Sequence, residues 1–104
     1  MSTLTVMQEL RAKLPELRAR LAPRHVILFG SQAQGTASEE SDIDVIVVSE
    51  RFRGVKWPVR HRPFFEVLWR DRSVHVICLT PEEFEKLRSW AGVVATACEE
   101  GIWL

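Results

Sequence analysis

Tyrosine is absent from the 104 residues, and cysteine occurs only twice, as Cys78 and Cys98. The two cysteines form no C-x-x-C pair and no zinc spacing. Both are therefore expected to be reduced, with Cys78 a small core residue in the apolar run "VHVICL" and Cys98 in a late helical stretch. Net charge is missing as well: 14 basic and 14 acidic residues sum to zero. Nothing global draws the chain to nucleic acid or to an anionic membrane. No apolar run approaches the roughly 20 residues of a membrane span. The opening "MSTLTVMQELRAKLPEL" carries charge too early for the core of a signal peptide. These absences point to a cytoplasmic protein with neither a membrane nor a nucleic acid as partner.

What is present suits one globular domain over residues 1–104, with 46% hydrophobic residues and enough chain to bury a core without disulfides or a structural metal. Leu4, Met7, Leu10, Leu14, Leu17 and Leu21 recur at steps of three and four, the period of an amphipathic helix. Pro15 either kinks that helix or opens a second one. "RHVILFG", residues 24 to 30, reads as a strand buried on both faces. "DIDVIVVSE", residues 42 to 50, reads as a second strand rich in Val and Ile. A basic connection comes next, then the helical-looking "PFFEVLWR" at 63 to 70 and a third strand, "SVHVICLT", at 73 to 80. "TPEEFEKLRSW" carries helix-start chemistry, with Thr80 as cap, Pro81 first and Glu83 three residues after the cap. Gly92 separates that helix from "VVATACEE", Gly101 ends the latter, and "IWL" is an apolar tail. The order predicts an α/β (α+β) fold, a small mixed β-sheet with helices packed on one face.

The stretch "GSQAQGTASEESDID", Gly30 to Asp44, carries the chemistry. Asp42 and Asp44 are two apart on a strand, so they project from the same face. Two carboxylates so close repel, and a divalent cation relieves the repulsion with hard oxygen ligands. Alone, such a pair is equally a turn residue and an exposed strand residue. Gly30 ends the first strand where a missing side chain lets backbone approach a ligand. Ser31 adds a hydroxyl and an N–H, and a short helix over 31 to 34 would present an anion site. Gly35 would turn the chain toward the second strand. Alone, Gly-Ser is equally a capped turn. Together the two halves can hold a metal–triphosphate, and by composition they coincide in about one chain in a thousand of this size.

With Gly-Ser, ten residues and Asp-x-Asp, the stretch resembles the signature of the nucleotidyltransferase superfamily related to DNA polymerase β. The spacing is similar to that of its minimal nucleotidyltransferases, and "VILFGS" and "TPEEFE" extend the likeness over most of residues 24 to 87. The resemblance implies the nucleotidyltransferase fold and a reaction in which an acceptor hydroxyl attacks the α-phosphate of a nucleoside triphosphate and pyrophosphate leaves. It implies Mg²⁺, with Mn²⁺ as the alternative, bound by Asp42 and Asp44. Gly30, Ser31, Gly35 and Ser41 form the implied nucleotide-binding set, and ATP is the implied substrate. The implied partner is a HEPN-domain toxin encoded nearby, with the chain as its antitoxin and AMP transferred to a hydroxyl of the toxin. The family's third carboxylate, on the third strand, is replaced: His75 holds its place. An imidazole could serve there as ligand or base, although magnesium prefers oxygen. The alternative is therefore a catalytically weakened or inactive module that binds nucleotide or neutralises the toxin by occlusion.

Other residues are less specific. Arg51, Arg53, Lys56, Arg60 and Arg62 form a basic stretch that suits phosphate, RNA or an acidic partner, or simply a solvated connection. A nucleic-acid binder is a third and weaker reading resting on that stretch. Trp57, Trp69, Trp90 and Trp103 suit an interface, with core packing expected for at least two. His25 and His61 have no metal-ligand spacing. Assembly, with itself or with a partner, is left open by the sequence.

Overall fold

The computed structural model describes residues 3–30, 33, 43–62 and 74–104. Helix α1 spans Thr3–Leu21 as one helix with Pro15 inside it. Strands β1 (His25–Phe29), β2 (Ile43–Val48) and β3 (Val74–Leu79) come next, then helices α2 (Pro81–Arg88) and α3 (Val93–Glu100), and strand β4 (Ile102–Trp103). The sheet has the order β3-β2-β1-β4. β1 runs antiparallel to β2 and to β4, and β2 runs parallel to β3. A parallel pair needs a long crossover, and residues 49–73 supply it, beginning with 3-10 turns at Glu50–Phe52 and Trp57–Val59. The expected helix at 63 to 70 lies outside the described residues. The expected tail is instead β4, which adds a fourth strand to the sheet.

The mixed α/β class agrees with the expectation; the placing of the helices corrects it. They cover both faces, not one. Side chains alternate along a strand, and each set meets its own helices. Val26, Leu28, Ile43, Val45, Val47, Val74 and Cys78 pack with Leu10, Leu14, Leu17 and Leu21 of α1. Ile27, Ile46, Val48 and Leu79 pack with Phe84 of α2 and with Val94 and Ala97 of α3. Two-sided burial is why β1 after His25 and β2 after Asp44 are continuously apolar. Each fully buried Leu or Ile contributes about 1.5–3 kcal/mol, so the sheet centre is held from both sides.

The helix ends are tied to the sheet by polar contacts. The carbonyls of Ala19, Arg20 and Leu21 would be orphaned at the end of α1. Arg51 donates to those of Ala19 (3.0 Å) and Arg20, and the buried Ser49 hydroxyl donates to that of Leu21. Ala22 then turns with φ +42, its N–H on the Arg18 carbonyl at 3.0 Å. At the other end of the fold Thr80 and Glu83 form the expected capping box: Glu83 N–H donates to the Thr80 hydroxyl, and Thr80 N–H to the Glu83 carboxylate. Arg60, nearly buried, donates to the same carboxylate at 2.6 Å and to the carbonyls of Val55 and Cys78.

The tryptophans depart from expectation. Trp57, Trp90 and Trp103 are all exposed, and Trp69 lies outside the described residues. The core is filled by aliphatic side chains with Phe52 and Phe84. The exposed rings instead lie under cations: Trp57 under Arg60, Trp90 under Lys86, Trp103 under Arg88. His25 packs against Phe84 and Trp103, with ring centroids 5.3 and 5.1 Å away. Cys78 is buried, Cys98 half-buried, and both are free thiols. Burial pushes the Cys78 thiol up to about 12 and raises that of Cys98. No helix among the described residues is long and apolar enough to cross a membrane.

Stability should respond to substitution at two positions. Ala22 occupies a left-handed position that disfavours a side chain, so Ala22→Gly should raise stability by about 1 kcal/mol, read as a higher thermal midpoint. Glu83 is pulled up by burial, but hydrogen bonds from Arg60 and Thr80 outweigh that and hold its carboxyl below the usual range. Such a group stabilises at neutral pH, and the contribution is lost as pH falls through the folded value. Glu83→Gln keeps the cap and removes the charge. It should cost about 1 kcal/mol at pH 7, given the partial exposure of the carboxylate. In urea titrations the gap from wild type should begin to narrow below about pH 4.3, the ordinary glutamate value, and close beneath the folded one.

Candidate functional site

β1 ends at Phe29, and Gly30 leaves it with φ +73. The Ala33 N–H donates to the Gly30 carbonyl at 3.1 Å, closing a turn directly after the strand. Across the sheet Phe29 pairs with Asp44, and Asp44 pairs with His75 on β3. Asp44 and His75 thus stand side by side on the face that α2 and α3 cover, at the end of the strands where Gly30 turns away. The Nδ1 of His75 is 3.4 Å from the Oδ1 of Asp44. That is longer than a made hydrogen bond. The Asp44 side chain is 24% exposed and that of His75 66%, so an incoming group can reach the imidazole while the carboxylate is held in the fold.

What holds the carboxylate is the missing Gly30 side chain. A Cβ at Gly30 would lie 2.5 Å from Asp44 Oδ2, closer than real contacts allow. The carboxylate occupies the space that the side chain would need. Glycine is therefore required twice, for the positive φ and for this close approach. The donor set has the right chemistry for a hard divalent cation: an anionic oxygen pair held from behind by backbone, with an imidazole nitrogen beside it. Among the described residues no group of three or more His, Cys, Asp or Glu gathers into a full cation centre. Asp42, Ser31, Gly35 and Ser41 lie outside the described residues.

Three members of the basic stretch serve the fold. Arg51 caps α1, Arg60 is nearly buried on Glu83, and Arg53 bridges Glu50 and Glu82 at 2.6 Å each. The Arg53 contact holds the Glu82 carboxyl below its ordinary range, as expected of a paired carboxylate. Lys56 and Arg62 are exposed. The phosphate, RNA and acidic-partner readings therefore lose most of their cations. Sequence reasoning could not have found this, because Ala19 for Arg51, Glu82 for Arg53 and Glu83 for Arg60 lie 23 to 32 residues away. It also passed over α3 as a helix without chemistry, although residues of α3 line a cleft beside Gly30.

The nucleotidyltransferase domain family matches residues 7–104. The chain belongs to this family. The match takes in Gly30, Asp44 and His75 along with every strand of the sheet. A crystal structure from Sulfolobus solfataricus, of a protein proposed to be a nucleotidyltransferase, superposes with a TM-score of 0.68 at 18% identity, covering 97% of this chain and 80% of that one. BolA1 from Arabidopsis thaliana superposes with a TM-score of 0.54 at 23% identity, covering 70% of this chain and 92% of that one. At these identities the two structures speak for the fold alone. No curated protein matches the chain in sequence.

The fit between Gly30 and Asp44 can be measured without any ligand. Gly30→Ala should cost about 1–2 kcal/mol from the left-handed backbone, plus the displacement of the carboxylate. In Gly30→Ala with Asp44→Ala the obstructing group is gone. The double variant should therefore be more stable than the sum of the single losses predicts, by about 0.5 kcal/mol or more in a double-mutant cycle. Strict additivity would mean that the two residues do not meet.

Proposed function

We propose that this nucleotidyltransferase moves AMP from ATP to a hydroxyl of a partner protein, and that it is the antitoxin of a HEPN-type toxin. The observation that carries the transferase reading is the Asp44 carboxylate seated against Gly30 with His75 in register beside it. The transfer of AMP, the protein acceptor and the toxin are supported by the resemblance of "GSQAQGTASEESDID" to the minimal members of the family. Asp44, with Asp42 two residues before it, would hold the divalent cation, Mg²⁺ or Mn²⁺. Gly30 and Ser31, with Gly35 and Ser41, would hold the triphosphate. A bound cation would supply charge neutralisation at the phosphate oxygens. His75 presents Nδ1 to Asp44, and an imidazole at this place would serve as the base that takes a proton from an incoming hydroxyl.

The second reading is a weakened enzyme that binds nucleotide and blocks its partner by contact. The feature that favours it is again His75, an imidazole at the place where the resemblance implies a carboxylate. Magnesium prefers oxygen, so a site with this histidine suits Mg²⁺ less well than a three-carboxylate site.

Transfer of label from α-³²P-ATP to the HEPN-domain protein encoded nearby separates the two readings. The transferase reading expects label on the partner, more of it with Mn²⁺ than with Mg²⁺, and none with Asp44→Asn. His75→Asp should raise the rate with Mg²⁺, since removing a base or ligand typically costs a factor of about 10² to 10⁴. Unlabelled partner that still co-elutes with the protein in size-exclusion chromatography would favour the binding module.

A further inference from the structure

The face that carries Asp44 and His75 also carries a cleft of about 390 Å³, between the end of β1 and helix α3. Phe29, Gly30, Val93, Thr96, Ala97 and Glu100 are among the residues that line it. Phe29 and Ala97 belong to the hydrophobic cluster on this face. Val93 is 58% exposed beside the cleft, in the first turn of a helix where a polar residue would cost nothing. No Lys or Arg is among these residues, and Glu100 adds negative charge, so the cleft is a poor place for phosphate.

Gly30 is common to both places. Against it on one side lies the Asp44 carboxylate, and on the other it lines the cleft. A nucleoside triphosphate has one broad apolar surface, the π-face of its base, and a base stacks on an aromatic ring. We propose that the cleft seats the base of the nucleotide, with Phe29 and Val93 against its faces and Thr96 and Glu100 at its polar rim. The proposal rests on the nucleotide reading of the Asp44 site. The acceptor is a worse occupant. In-line displacement sets the attacking oxygen opposite the departing pyrophosphate. With the triphosphate at Gly30 and Ser31, the acceptor arrives from the His75 side, and the cleft lies on the other.

The test is calorimetry on the full chain with Mn²⁺ and either ATP or inorganic tripolyphosphate, which has the phosphates and no base. The wild-type protein should bind ATP about tenfold more tightly than tripolyphosphate. Val93→Asp puts a charge into the apolar wall at a helix start that tolerates it. Thr96→Met fills the cleft with a flexible chain on an exposed helical position. Each should lower ATP affinity toward that of tripolyphosphate and leave tripolyphosphate binding within about twofold, with an unchanged circular dichroism spectrum. Equal wild-type affinity for the two ligands would overturn the base seat and leave the nucleotide reading standing, and so would unchanged ATP affinity in both variants. If the wild-type protein binds neither ligand, both readings fall.

Discussion

Burial of β1 and β2 on both faces is the constraint on which the rest of this protein depends. A strand so placed has no room for charge along its length. α1 closes one face and α2 with α3 the other, so polar chemistry is pushed to where the helices no longer cover the sheet. Asp44 stands at that limit. It pairs with Phe29 at the end of β1, directly before the chain turns at Gly30. The apolar strand supplies rigidity, and the carboxylate inherits it. A side chain fixed by sheet register and by the close approach of Gly30 needs little reorganisation to act.

Polar contacts elsewhere keep the layers in place. Ser49 and Arg51 take the last carbonyls of α1, and Arg24 N–H donates to the Val48 carbonyl at 2.7 Å. These contacts join the end of α1 to the end of β2, so the helix on one face and the strand bearing Asp44 are fixed to each other. Arg60 does the same on the far side, where it ties the crossover after Val55 to the capping box of α2. Its guanidinium is nearly buried, with Nε and Nη1 on acceptors and the Trp57 ring beside it.

Much of this was legible in the sequence. The capping box at Thr80, the Val- and Ile-rich second strand and the glycine that ends the first depend on local chemistry, and local chemistry is written in consecutive residues. His75 was singled out through the resemblance alone, and it is the parallel register of the structure that sets it beside Asp44. What escaped depends on partners far along the chain. The apolar pattern of β1 fits burial on both faces, yet periodicity does not say which helix arrives on which face. The basic stretch looked like one feature, but its arginines have separate partners in α1, in Glu50 and in α2. Tryptophan was expected in the core, where Phe52, Phe84 and the aliphatic residues already fill the space. The ending "IWL" gave no sign of a strand because two residues carry no period. It forms β4 because Gly101 lets α3 end against β1: a Cβ there would come within 2.7 Å of Ile27.

The borders of the sheet govern how the molecule meets others. A long, bare edge strand recruits further strands and invites aggregation. At one border β4 is two residues long, too short to template a ladder. At the other, the Ser49 N–H reaches the Leu79 carbonyl, so the Cys78 carbonyl faces outward from β3, and Arg60 occupies it. That end of the β3 edge is thus closed to an incoming strand. Among the described residues the exposed rings of Trp57, Trp90 and Trp103 then present the broadest side-chain surfaces.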